Sequence, residues 1–264
     1  MFRPRPARRE DHADYVRFVG QLGTEQAPFE IDWWDEHYRR YTTFLETPIG
    51  ELVAYALIVP LGSRGDVRQI AVDPTWRGRG IGKRLMEVVR AQLREAGCRD
   101  WHLEVRSENE TAIALYRSVG MTVLHEIDVM RLSREGAERF AATRSGALRV
   151  EPVDLTQDVA LEQRFDLGSG QLQRWRSARP NAVMWHIGGV ALTHYMPGFL
   201  HDCGLLFPFR APDADHAAHL IAEACSFGMP KLVELCAIER PVATALRAVG
   251  AQVYDHEIEM GGPL

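Results

Sequence analysis

Residues 68–89, RQIAVDPTWRGRGIGKRLMEVV, set three glycines at alternate positions, Gly78, Gly80 and Gly82, among Arg77, Arg79, Lys83 and Arg84. An apolar run precedes them and an amphipathic one follows. Glycine costs a helix start stability relative to alanine, so a bare backbone must serve some purpose there. Where a strand turns into a helix, the first amide N–H groups of the helix have no intrahelical partner. Glycines let an anion reach those amides, and the helix dipole adds partial positive charge. Further along, Asn109 heads a second periodic segment, and Tyr116 follows it by nearly two helical turns, so the two can share a face.

Three glycine loops compete for this stretch. A Walker A loop needs G-x-x-x-x-G-K-[ST], but position 77 is arginine and Lys83 is followed by Arg84. A dinucleotide fingerprint needs G-x-G-x-x-G; Gly78 and Gly80 fit, and Lys83 occupies the third position. The remaining reading is an acyl-CoA loop, in which Gly78, Gly80 and Gly82 admit a diphosphate and Arg79, Lys83 and Arg84 supplement the amides. Its competitor is a turn kept tight for packing alone.

The elements that must position these residues follow from periodicity. The chain opens with a strand over 2–7 and a helix from about Glu10 to Leu22. EIDWWDEHYRRY then reads as a short helix. A hairpin turns through Pro48 and Gly50 into an apolar strand ending at Val59, and DVRQIAV forms the next strand, stopped by Asp73 and Pro74. Ile81, Leu85, Val88, Val89 and Leu93 recur at helical spacing, with Gly97 closing that helix. DWHLEVR alternates Trp101, Leu103 and Val105 against His102, Glu104 and Arg106, a strand with one core face. Asn109 caps a helix running to Val119, Gly120 follows, and MTVLHEIDVMRL returns as a strand. The order describes an α/β sandwich around a mixed sheet.

The pattern then recurs. Shifted by 130 positions, LEVRSENETAIALYRSVGMTV falls on VELCAIERPVATALRAVGAQV without a gap, matching Glu104 to Glu234, Arg117 to Arg247 and Gly120 to Gly250. A strand–helix–strand unit used twice predicts two domains of one kind, 1–132 and 148–264, with 133–147 as a linker or linking helix.

Residues 68–121 resemble the GCN5-related N-acetyltransferase (GNAT) superfamily. Its Q/R-x-x-G-x-G/A loop is matched by Arg77, Gly78, Arg79, Gly80, Ile81 and Gly82. Its N-x-x-A-x-x-L-Y-x-x-x-G-F element is matched by Asn109, Ala112, Leu115, Tyr116 and Gly120, with Met121 in place of the usual aromatic. The likeness extends over about residues 1–132 and implies a tandem GNAT fold with a degenerate C-terminal copy. It also implies acetyl-CoA as cosubstrate, no metal, and direct attack of a primary amine, on a small molecule or a peptide, upon the thioester. By the same resemblance, the backbone of Ile70, Ala71 and Val72 receives the pantetheine arm, and an amide near Ala71 or Val72 polarises the acetyl carbonyl. The cosubstrate is then held by those residues, by Arg77 to Lys83, and by Asn109 and Tyr116.

Tyr116 is the expected general acid. A phenol of pKa about 10 can protonate a leaving thiolate whose thiol pKa is about 8.5. The other reading is a core tyrosine on an amphipathic helix. Glu104 is the expected general base, because LEVRSENETAIALY is similar to the branch that acetylates the N-terminal amine of ribosomal proteins. The second copy keeps Glu234 but has Glu239 for Asn109 and Leu246 for Tyr116, so Glu104 is either base or structural. That copy also has Ala211, Pro212 and Asp213 at its strand-to-helix junction, where Asp213 and Asp215 would repel a diphosphate. It is expected to bury an edge, shape the acceptor cleft or form a homodimer. In the acceptor region, Glu30, Asp32, Asp35 and Glu36 lie beside Phe29, Trp33 and Trp34. They read either as a cation-binding cleft or as an amphipathic helix with an acidic outer face.

Bulk properties narrow the rest. Of 264 residues, 46% are hydrophobic and 25% charged, with a net charge of −5, an ordinary globular composition without a basic face for nucleic acid. No apolar run has the length of a membrane span. The arginine-rich opening soon gains Glu10, Asp11 and Asp14 and reads as mature structure. Cys98, Cys203, Cys225 and Cys236 show no C-x-x-C spacing and point to free thiols in the cytoplasm. His186, His194 and His201 match no zinc pattern. The alternative to an enzyme is an acyl-CoA-binding sensor or scaffold without catalysis.

Overall fold

The computed structural model describes residues 2–23, 27–179, 181–200 and 202–264. By its contacts the chain divides into two compact units. The first comprises Met1–Val105, Asn109–Leu124 and Glu259–Leu264; the second comprises Arg106–Glu108 and His125–Ile258.

The first unit runs β1 (Arg3–Pro6), α1 (His12–Val19), α2 (Ile31–His37), β2 (Thr42–Glu46), β3 (Leu52–Leu61), β4 (Arg64–Val72), α3 (Ile81–Glu95), β5 (Asp100–Arg106), α4 (Glu110–Ser118) and the start of β6 (Thr122–Ser133). Its strand order is β1-β2-β3-β4-β5, antiparallel as far as β4. β3 is buried along almost its whole length, as expected of a central strand covered on both faces. One face packs on α1 and α2 through Tyr15, Phe18, Trp34, Phe44 and Tyr55, all fully buried. Trp34 stacks on Tyr15 with centroids 5.1 Å apart, and Phe18 on Tyr55 at 5.2 Å.

β4 carries the feature that matters for function. Leu57 pairs with Gln69 and Ile58 with Val67, so Arg68 is an extra residue, a β-bulge. On its other side β4 pairs with β5 in parallel, but only from Arg64–Asp100 to Asp66–His102. A bulge bends its strand, and β4 and β5 part company just where this one begins. Among the described residues, the edge of β4 from Val67 to Val72 that faces β5 has no strand partner.

The second unit contains the rest of β6, then α5 (Arg134–Ala141), β7 (Glu151–Pro152), α6 (Asp158–Arg164), α7 (Gln171–Ala178), β8 (Val183–Ile187), β9 (Ala191–Leu200), β10 (Cys203–Arg210), α8 (Ala214–Gly228), β11 (Leu232–Ala237), α9 (Arg240–Ala248) and most of β12 (Gln252–Pro263). Its strands follow the order β6-β11-β10-β9-β8-β7. β10 and β11 are parallel from Cys203–Leu232 to Leu206–Leu235, and β10 is irregular from Leu206 to Phe209. The segments that the shift of 130 aligns take similar local form. α4 and α9 each span nine residues and end on valines of matching conformation, φ −107° at Val119 and −101° at Val249. Gly120 and Gly250 follow at φ 93° and 95°.

Two expectations change. By contacts the chain divides within β6 and β12 rather than at 132 and 148; Arg134–Ala141 is a helix, the second of the two readings of 133–147, with Ala137, Phe140 and Ala141 in the second core. β5 does not have one simple core face either. His102 is buried along with Trp101, Leu103 and Val105, because carboxylates hold it there. All four cysteines are free thiols. No helix of the described residues is long and apolar enough to cross a membrane.

Candidate active site

The glycine-rich turn follows directly from the unpartnered end of β4. The Asp73 side chain accepts from the Thr75 hydroxyl at 2.7 Å and its amide at 3.0 Å, and ion-pairs with Arg17 at 2.6 Å. The Thr75 hydroxyl bond, with the Thr75 amide and Arg17 added, lowers the Asp73 pKa against its small desolvation cost. One 3-10 turn, Pro74–Trp76, leads into the glycines. Gly78 and Gly80 have φ of 73° and 76°, the left-handed region, and a Cβ on either would meet nothing within 4 Å. Backbone conformation, not crowding, requires them. Gly82 differs: a Cβ there would lie 3.0 Å from Leu115 Cδ2, so this glycine lets α3 close on α4.

Gly80 is the N-cap of α3 and supplies no side-chain cap. By contrast, Asn109 caps α4, Ser133 caps α5 and Asp213 caps α8, each through a side-chain oxygen on a backbone amide. No side chain caps the leading amides of this fifteen-residue helix, as none caps those of α1, α2, α6 and α9. The surrounding cations divide. Arg77 turns back, its Nε donating to the Val72 carbonyl at 3.0 Å. The Arg79 guanidinium sits 4.9 Å over the Trp76 ring, and Arg84 pairs with Glu87 at 3.2 Å on the surface. Lys83 is exposed, while Ile81 anchors the helix in the core. Of the preceding strand residues, Ala71 is buried and Ile70 and Val72 are half-buried.

The Asn109 Oδ1 accepts from the Ala112 amide at 3.1 Å, so this residue starts α4 and leaves its NH2 group for other use. Tyr116, on the buried face of α4, makes no hydrogen bond through its hydroxyl to any described residue. Burial pushes its pKa up to about 12, which keeps the phenol protonated. Glu104 is exposed on β5, two residues past the last β4–β5 pair. Its counterpart Glu234 forms an ion pair with Arg131 at 2.9 Å inside the second unit.

The acidic helix resolves toward the plainer of its two readings. Asp35 is tied to Arg9 at 2.7 Å and to Arg39, and Asp32 to Arg9. Trp34 is in the core. His186 and His194 are buried on paired strands of the second unit, and His201 lies outside the described residues. At the second junction Asp213 accepts from the His216 amide at 2.9 Å and from its ring at 2.8 Å, occupying the helix start that α3 leaves open.

Two features had no signal in the sequence reading. The Tyr55 hydroxyl donates to Gln69 Oε1 at 3.0 Å. Glu259, from the far end of the chain, accepts from Arg64 at 2.9 Å and His102 at 3.0 Å beside the last β4–β5 pair.

Known proteins share this arrangement of elements. A family model described as the acetyltransferase (GNAT) family matches residues 8–121. The ribosomal protein bS18 alanine N-acetyltransferase of Escherichia coli is 33% identical over 101 residues, 36% of this chain and 68% of that protein. The chain belongs to the GNAT family. An uncharacterized Mycobacterium leprae protein is 53% identical over 73 residues, 26% of this chain, but the match spans only 20% of that relative's length. A tandem GNAT protein from the clavulanic acid biosynthesis pathway superposes with a TM-score of 0.63 at 15% identity, covering 100% of this chain and 98% of that one. At that identity it speaks for the fold alone.

Proposed function

We propose that the chain is an acetyl-CoA-dependent N-acetyltransferase with one working site, in the first unit, acting on a primary amine by direct attack. The observation that carries this reading is the uncapped N-terminus of α3, reached through left-handed Gly78 and Gly80, at the end of a strand edge without a partner. An anionic donor with an extended amide-bearing arm suits both parts. The helix-start amides and Arg79, Lys83 and Arg84 would hold the diphosphate, and the Val67–Val72 edge would hydrogen-bond the pantetheine arm.

Acetyl-CoA supplies an activated acyl group and a thiolate leaving group. A backbone amide near Ala71 or Val72 faces the charge that develops on the carbonyl oxygen. Glu104, on the diverging part of β5, takes a proton from the incoming ammonium or amine. Tyr116, kept neutral by burial, donates its proton toward the departing sulfur. Asn109 fixes the start of α4 and hence the direction of Tyr116. The ion pair of Glu234 with Arg131 gives that residue its own reason to persist, so its presence in the second copy does not count against Glu104 as base.

The second unit we read as a degenerate copy without a cosubstrate site. Its helix start is filled by Asp213, and Leu246 stands where Tyr116 does. Acceptor-dependent thiol release from acetyl-CoA, screened over amines and peptides, tests the activity; acetyl-CoA binding without thiol release for any acceptor would leave a sensor or scaffold instead.

A further inference from the structure

Val72 ends β4, and the ladder with β3 fixes which way its peptide groups point. Ala54 pairs with Val72, and just beyond that pair the Asp73 amide donates to the Val53 carbonyl at 2.9 Å. A bond in that place makes Ala54 and Val72 a non-hydrogen-bonded pair, whose own N–H and C=O groups point away from each other's strand. By the same alternation Tyr55 and Ala71 exchange both of their backbone bonds. The N–H and C=O of Val72 thus face the edge that β5 leaves, whereas the Ala71 amide is spent on β3.

Onto this outward carbonyl the Arg77 Nε donates at 3.0 Å. The bond spans five residues, from the strand end across the turn Pro74–Trp76. Arg77 is exposed, so it anchors no core. Left-handed Gly78 and Gly80 follow it and lead into α3. Glycines leave a turn more backbone freedom than other residues do. The Arg77 side chain ties the start of that turn to the end of the open edge. Two parts that grip opposite ends of one ligand hold it better when their spacing is set beforehand. A guanidinium bond would also satisfy the Val72 carbonyl once a ligand along the edge shuts out water.

We infer that Arg77 is a positioning residue: its Nε pins the glycine turn to the outward carbonyl of Val72, so that the diphosphate cradle and the strand edge meet one ligand at a fixed spacing. This rests on the acetyl-CoA reading of the first unit, and it gives the Arg77 side chain no contact with the diphosphate.

The test separates that bond from the charge. Glutamine carries its Nε2 as many bonds from the backbone as arginine carries its Nε, without charge; lysine keeps the charge but has a carbon there. Acetyl-CoA is titrated calorimetrically into the wild type, Arg77→Gln, Arg77→Lys and Arg77→Ala. The same proteins are titrated, directly or in competition, with 3′-phosphoadenosine 5′-diphosphate, which is coenzyme A without its arm. The acetyl-CoA Kd is expected to rise about tenfold in Arg77→Ala and Arg77→Lys and to stay within about twofold of wild type in Arg77→Gln. The Kd of the armless fragment should not change in any variant. Equal losses on both ligands would assign Arg77 to the diphosphate and overturn the inference. So would a loss in Arg77→Gln as large as in Arg77→Ala, or acetyl-CoA binding in Arg77→Ala as tight as in the wild type. A wild type that does not bind acetyl-CoA would instead refute the acetyltransferase reading.

Discussion

Asp66 and His102 form the last pair between β4 and β5, and His102 is clamped there from two sides. Its Nδ1 lies 3.0 Å from Glu259 and its Nε2 3.1 Å from Asp100, while Arg64 bridges Glu259 at 2.9 Å and Asp66 at 2.8 Å. The chain's C-terminal residues are thus fastened at the point where the two strands separate. Burial acts to raise the Glu259 pKa, but His102 and Arg64 outweigh it and bring it to about 2. A folded pKa below the unfolded one stabilises above the unfolded value and is lost as pH falls through the folded value. Glu259→Gln is expected to cost about 3 kcal/mol at pH 7 in urea denaturation. The gap from wild type should shrink as pH falls from about 5 toward 2; a gap independent of pH would contradict the clamp.

Tyr116→Phe removes the proposed acid and little else. kcat should fall about 100-fold while the acetyl-CoA Kd stays the same. With the phenol pKa at about 12, its ionisation should not depress wild-type turnover below pH 10. Steady-state kinetics across pH 6–10 check both points, and unchanged turnover in the variant would remove Tyr116 from the reaction.

Glu104 and Glu234 should behave differently. Glu104→Gln is expected to lower kcat/KM about 100-fold. Glu234→Gln, which breaks the pair with Arg131, should lower stability by about 1 kcal/mol and leave turnover alone. Turnover and thermal unfolding on both variants separate these outcomes.

The glycines divide in the same way. Gly82→Val must displace Leu115, so it should destabilise the fold by about 1–3 kcal/mol while acetyl-CoA still binds. Chemical denaturation with a parallel binding titration measures this; loss of binding without loss of stability would mean that Gly82 faces the ligand.

Much of the first unit was legible because its signals are local. Ile81 to Leu93 at helical spacing, Asn109 before a periodic run, and glycines at helix ends each fix an element within a few residues. What sequence did not reveal depends on distant partners. The bulge at Arg68 exists because β3 and β4 must stay in register on either side of it. Glu259 reaches Arg64 across 195 positions, and no local pattern marks that pairing. Three evenly spaced glycines look alike in sequence yet differ in surroundings, because Gly78 and Gly80 take positive φ while the neighbour of Gly82 is a leucine from another helix.

The central claim is that the open amides at the start of α3 hold the diphosphate of acetyl-CoA. Calorimetric titration of acetyl-CoA into the wild type and Gly80→Glu tests it most directly. The account expects micromolar binding in the wild type, none in the variant, and a folded variant by circular dichroism. Equal affinity in both proteins would contradict it.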